Sequence, residues 1–155
     1  MFAVEGMPNS VFLGLGGGFN TKHSEGEFTL STGYNRHIGG TPHFSLGLLC
    51  EGVFSEKSFF VLGVPIGFYP DEAIKLYITP CYSFAGGGKE YYTEDDVEYF
   101  RLDNEFILKF GIGYNYYVPE TRWNIQPYLE GSIINSQFVI GLGVKFNLYF
   151  TDSFR

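Results

Sequence analysis

The chain has no long apolar run. Its most apolar stretch, Phe59 to Phe68, is interrupted by Gly63, Pro65 and Gly67 and falls far short of the roughly 18 to 20 residues that a membrane-spanning helix needs. A helical membrane protein is therefore excluded. Basic residues are also scarce: 10 Lys and Arg stand against 17 Asp and Glu, a formal net charge of −7. The sequence thus lacks the electrostatic footprint of a nucleic-acid binder. Cysteine is limited to Cys50 and Cys81. The strand reading below puts them on non-neighbouring strands with opposite-facing side chains, which denies them the close, convergent Cβ atoms of a disulfide. Of the three histidines, His37 and His43 flank one turn and His23 lies at the opposite rim, so they do not converge on a metal. The opening Met1-Phe2-Ala3-Val4-Glu5-Gly6 has neither the basic start nor the apolar centre of an export signal. For an exported protein this implies a mature chain with an added initiator Met.

Aromatic residues, in contrast, make up 19% of the 155 residues, and Gly numbers 21. Tyr and Phe suit the pleated surface of strands, and abundant glycine disfavours long helices. One all-β domain over 1–155 is expected, because a chain of this length does not build two separate cores.

Alternation of period two runs from end to end. In the last segment Phe138, Ile140, Leu142, Val144, Phe146, Leu148 and Phe150 share one face, and Gln137, Val139, Gly141, Gly143, Lys145, Asn147 and Tyr149 share the other. A second segment sets Phe106, Leu108, Phe110, Ile112 and Tyr114 against Glu105, Ile107, Lys109, Gly111, Gly113 and Asn115. Looser versions recur over Val11 to Lys22, Glu27 to Arg36, His43 to Phe54, Ser58 to Tyr69, Ala73 to Phe84 and Trp123 to Ile134. The sum is eight strands, each long enough to cross a bilayer at a tilt.

Strand number does not separate a soluble barrel from a membrane one, but the faces do. An eight-stranded barrel is barely wide enough to be filled by side chains, so the bulky Phe, Leu and Ile rows must face outward, toward lipid. The small face, with glycine, serine and asparagine, turns in. It carries Glu51, Lys75, Glu105, Lys109, Glu130 and Lys145, balanced in sign and expected to pair as an internal network that seals the barrel. Tyr34, Tyr69, Tyr114, Tyr116, Tyr117, Trp123 and Tyr149 gather at the end that holds both termini and read as an interfacial girdle.

One connector is long. Gly86 to Glu98 begins Gly86-Gly87-Gly88 and is acidic; with the residues that follow it presents Lys89, Glu90, Glu94, Asp95, Asp96, Glu98 and Asp103. An even strand count with both termini in the periplasm places this connector outside, where such barrels keep their longer loops. Its spacing does not match a calcium loop.

The whole chain resembles the small outer-membrane β-barrel proteins of the OmpA-like and OmpX-like type, most specifically through the closing segment Phe138 to Phe150. The resemblance implies a transmembrane antiparallel up-and-down barrel in a bacterial-type outer membrane. It also implies a final aromatic, Phe150 or Phe154, that is read by the insertion machinery; Arg155 departs from that pattern.

Little in the sequence points to chemistry. Gly14-Leu15-Gly16-Gly17-Gly18 is followed by no helix and no Lys-Ser/Thr pair, so it makes no phosphate cradle. His23-Ser24-Glu25 contains a nucleophile, a base and an acid, but adjacent residues on a tight hairpin diverge. His43-Phe44-Ser45 lies at the periplasmic end and lacks the flanking residues of a lipid deacylase. No catalytic, cofactor or metal residue is assigned. The expected role is non-catalytic: structural, or binding a surface partner through the acidic loop, with membrane lipids around the wall. Two alternatives are a lipid-modifying acyl hydrolase or transferase using His23 and Ser24, and a narrow porin-like conduit.

Overall fold

The computed structural model describes residues 7–21, 26–38, 43–55, 58–84, 106–134 and 137–151, together with the backbone of 25, 88–92 and 97–101. The strands are β1 (Asn9–Asn20), β2 (Glu25–His37), β3 (Phe44–Phe54), β4 (Phe59–Gly63), β5 (Ile66–Phe68), β6 (Ile74–Phe84), β7 (Gly88–Tyr92), β8 (Val97–Arg101), β9 (Phe106–Tyr114), β10 (Tyr116–Tyr117), β11 (Trp123–Ile134) and β12 (Gln137–Phe150). They build eight staves, because β4 with β5, and β9 with β10, each form one. Every stave pairs antiparallel with its sequence neighbours, and β1 pairs with β12 to close the wall.

Closure sets the stagger. Followed partner by partner from Asn9 through Arg36, Leu46, Ile66, Ile78, Phe110, Gly131 and Ile140, the ladder returns to β1 at Phe19. A circuit thus climbs from position 9 to position 19. With ordinary strand spacing and rise, that climb tilts the strands by about 40°.

The apolar rows face out. Leu13, Leu48, Leu62, Ile78, Phe110, Leu129 and Leu142 are exposed around the wall, Leu142 at 67%. In water this continuous apolar belt would be strongly unfavourable; in hydrocarbon it is the required surface, and closure pairs every described stave of the wall on both sides. Thr32, a polar residue in mid-wall, donates its hydroxyl to Phe12 O at 3.0 Å, which removes the cost of an unsatisfied donor in lipid. Cys50 is exposed on the wall and Cys81 is buried inside, both as free thiols.

Two sequence expectations change. Ser58 to Tyr69 is not one strand: Pro65 has no amide N–H, so the fourth stave breaks between β4 and β5. The neighbours still hold it, with Gly47 N donating to Pro65 O at 3.0 Å and Val64 N to Pro80 O at 3.1 Å. The long connector, read as a loop, contains the hairpin β7–β8, registered from Gly88↔Arg101 to Tyr92↔Val97 and separate from the wall sheet.

Candidate functional site

The inward face is the place where ionisable groups meet. Because the wall is staggered, side chains of one parity from different staves reach the axis at different heights, and three tiers result.

The central tier is ionic and aromatic. The Lys109 ammonium donates to Glu51 Oε1 and, at 3.2 Å, to Glu130 Oε1. Tyr77 donates its hydroxyl to Glu130 Oε2 at 2.9 Å. Gly111 makes room for this: a Cβ there would lie 2.6 Å from Tyr77 Cζ and from Leu129 O. Lys109 is 6% exposed and Glu51 4%, so the contact is screened little by solvent and holds charge that would otherwise be costly. Lys145 is held differently. Its ammonium stands 4.9 Å from the ring centroids of both Tyr77 and Tyr128 and 5.3 Å from that of Phe12.

The lower tier, at the end where β1 starts and β12 stops, is polar. Gln126 Nε2 donates to Asn115 Oδ1 at 2.5 Å, and Asn147 Nδ2 to Asn124 Oδ1 at 3.1 Å. The His37 and Tyr69 rings meet at 5.0 Å, and those of Tyr117 and Tyr149 at 6.2 Å. Lys75 lies at the top of this tier, 5.6 Å from the Tyr69 ring and 5.9 Å from the Tyr77 ring. Tyr69, Tyr117 and Tyr149 therefore do not belong to the interfacial girdle. Tyr69 and Tyr149 are buried, and Tyr117 pairs with the inward Asn124. Tyr114, Tyr116 and Trp123 are exposed on the outer wall at this rim.

The upper tier is mainly apolar, with the buried Ser83, Ser132 and Gln137 standing beside Val61, Val139 and Ile134. Val53, Phe59, Val61, Cys81, Ile107, Ile134 and Val139 form one buried cluster that continues down to Leu49 and Phe12. A polar, glycine-lined interior is the sequence expectation, with Ile107 and Val139 among its inward residues. The small face carries these apolar residues between its polar and glycine positions, and the stagger stacks them together. Glu27, an inward acid that the sequence reading passed over, packs against Gly18 beside this tier.

Of the six charged residues singled out, Glu51, Lys109 and Glu130 are brought into contact, while Lys75 and Lys145 stand against rings. Glu105 lies outside the described residues. So do Glu94, Asp95 and Asp96 and the triplet's His23 and Ser24, as well as Asp103; Lys89, Glu90 and Glu98 are placed on β7 and β8 by backbone alone. Sequence reasoning missed Phe12, Tyr77 and Tyr128 as partners of the lysines. The available signal was their inward parity, Tyr77 standing two residues from Lys75. Among the described residues no three metal-ligating side chains gather. A cavity of about 10 Å³, lined by Glu27, Thr29, Lys109, Tyr128, Glu130 and Ser132 among others, lies beside the central contact; that is room for about one water.

No family model matches the sequence, and no curated protein does. Solved structures do match in fold. Neisserial surface protein A is 10% identical with a TM-score of 0.60, over 94% of this chain and 97% of that one. The N-terminal β-barrel domain of Pseudomonas aeruginosa OprF is 16% identical with a TM-score of 0.55, over 92% and 99%. The fold is that of the small outer-membrane barrels. A de novo designed transmembrane β-barrel is as similar to this chain, 13% identical with a TM-score of 0.55 over 93% and 99%. An outer-membrane-type barrel therefore specifies a solvent and a wall, and its function has to be argued from the interior and the outer connections.

Proposed function

We propose that this chain is an integral protein of a bacterial-type outer membrane that works as a non-catalytic, non-conducting platform and meets a basic surface partner through its acidic outer hairpin. The observation that carries this reading is the filled interior. Lys109 engages both Glu51 and Glu130, and a mainly apolar cluster lies above them, so among the described residues side chains fill the middle of the barrel, which supports a plugged interior. The hairpin β7–β8 joins staves at the end opposite the termini, and the segment Glu90 to Asp103 is rich in carboxylates. A basic partner fits that charge. The outward Phe150 ring, 6.4 Å from Tyr34 at the lower rim, supports a role for the last strand in recognition by the insertion machinery.

Proteoliposomes carrying the chain, and a variant lacking 87–96, test the proposal. Both are expected to run as heat-modifiable bands, to show no conductance steps in planar bilayers and to leave lipid A mass unchanged. The parent is expected to bind polylysine and the variant to lose that binding. Unchanged polylysine binding by the variant would overturn the hairpin's role; conductance steps or altered lipid A acylation would overturn the platform.

A further inference from the structure

Building on an outer-membrane barrel with both termini in the periplasm, we propose that the wall holds one phospholipid of the periplasmic leaflet, its phosphate on the Arg36 guanidinium and one acyl chain in a trough that rises from Tyr34 across the outer face. The first observation is a braced cation at the membrane interface. Among the described residues Arg36 and Arg122 are the exposed cations, and both stand at the rim that holds the termini. Arg36 Nη1 donates to Asn9 Oδ1 at 3.0 Å, and the Tyr34 hydroxyl donates to the same oxygen. Asn9 is 2% exposed, so the arginine is tied to the wall through a buried side chain and loses less freedom on binding than a loose one does. The exposed Tyr114, Tyr116 and Trp123 rings mark the same rim as the level of lipid headgroups. A planar guanidinium matches a phosphate there with paired hydrogen bonds.

The second observation is a trough that starts beside this cation. Thr32, Cys50, Val64 and Pro80, all with short outward side chains, line a depression of about 720 Å³ that runs from Tyr34 and Leu48 toward Tyr82 and Phe106. Arg36 stands two residues below Tyr34 on the same face, opposite Leu46 as Tyr34 is opposite Leu48.

The stagger of the wall gives the trough its slope. Pro80 is three strand spacings round the wall from Arg36, by way of Leu46, Ile66 and Ile78, and two residues further up. On strands tilted by about 40° that is a climb of about 14 Å, against about 15 Å for half of a hydrocarbon core. A chain that starts at Arg36 and follows the trough therefore ends near the bilayer midplane, as an acyl chain of the periplasmic leaflet must. A lipid of the outer leaflet enters from the opposite rim and would leave the guanidinium unused.

Dioleoyl phosphatidylglycerol serves as the probe and phosphate-free dioleoylglycerol as the control. Native mass spectrometry of the detergent-folded barrel is expected to show one phosphatidylglycerol retained per chain and no dioleoylglycerol. Arg36→Gln and, independently, Cys50→Phe, which fills the trough with an apolar side chain, should each lose the retained lipid. Cys50 also reports position. At a phosphatidylglycerol mole fraction ten times that of half-saturation, its labelling by a detergent-soluble maleimide should slow about tenfold, and the slowing should vanish in Arg36→Gln. Heat-modifiable gel mobility checks that each variant folds. A folded parent that retains no phospholipid, equal retention of dioleoylglycerol, retention that survives either substitution, or a lipid-free dimer would overturn the proposal and leave the membrane barrel standing.

Discussion

Replacing Lys109 with Met tests the central tier directly. The substitution keeps the length of the side chain and removes the ammonium that Glu51 and Glu130 share. Glu51 is 4% exposed, and the Glu130 side chain is 12% exposed, so solvent screens the two stranded carboxylates weakly. Removing one partner of a buried ion pair typically costs about 3 to 5 kcal/mol, and here two acceptors lose their donor at once. Lys109→Met is therefore expected to destabilise the barrel by about 3 to 5 kcal/mol. The combination with Glu51→Gln and Glu130→Gln, which removes the stranded charge, is expected to return to within about 1 kcal/mol of the parent, because neutral replacement of a buried pair is often close to neutral in energy. Urea titration in phospholipid vesicles measures both, read by heat-modifiable gel mobility and by the fluorescence of Trp123, the single tryptophan, exposed on the outer wall. A Lys109→Met midpoint matching the parent, or a triple variant no more stable than the single one, would refute the argument that these charges depend on one another.

Three further outcomes follow from the wall. Leu142→Arg, at the most exposed apolar position described, is expected to lower stability in vesicles by about 2 to 4 kcal/mol if it lies near the bilayer midplane; the same titration checks it. A membrane-partitioning maleimide should label Cys50 and spare Cys81 in the folded barrel, with labelling read by mass spectrometry, and the reverse pattern would invert the assignment of faces. Glu120 has φ 61° after Pro119, at the turn position where glycine is favoured. Glu120→Gly should therefore stabilise the barrel by less than about 2 kcal/mol, read as a higher urea midpoint.

Much of the fold is legible because a membrane barrel writes its two solvents into alternate residues. The segments Trp123 to Ile134 and Gln137 to Phe150 coincide with β11 and β12 at both ends, since each stacks a lipid-facing row directly against an inward one. The fourth stave was less legible: its alternation runs through Pro65, and a side-chain pattern does not register a missing amide donor. The hairpin β7–β8 was hidden for a different reason. It stands outside the wall sheet, so neither the lipid belt nor the barrel interior imposes an alternation on it.

The interior was only half legible, and the cause is geometric. Period two reports which face a residue takes, but not the height at which it reaches the axis. Height depends on the register between strands, and a circuit that climbs from Asn9 to Phe19 moves residues of equal parity far apart or close together in ways that no single segment contains. Lys109, Glu51 and Glu130 come from three different staves and converge, while Lys75, of the same parity, falls lower, among Tyr69 and Ser45. Counting charges by face does not tell which of them meet, whereas resolving them by height separates an ion-paired centre from a lysine held among rings below it. That vertical separation is a product of register: the ion-paired centre lies beneath the buried cluster of Val53, Phe59, Val61, Ile107 and Val139 and above the polar pairs of Asn115 with Gln126 and Asn124 with Asn147.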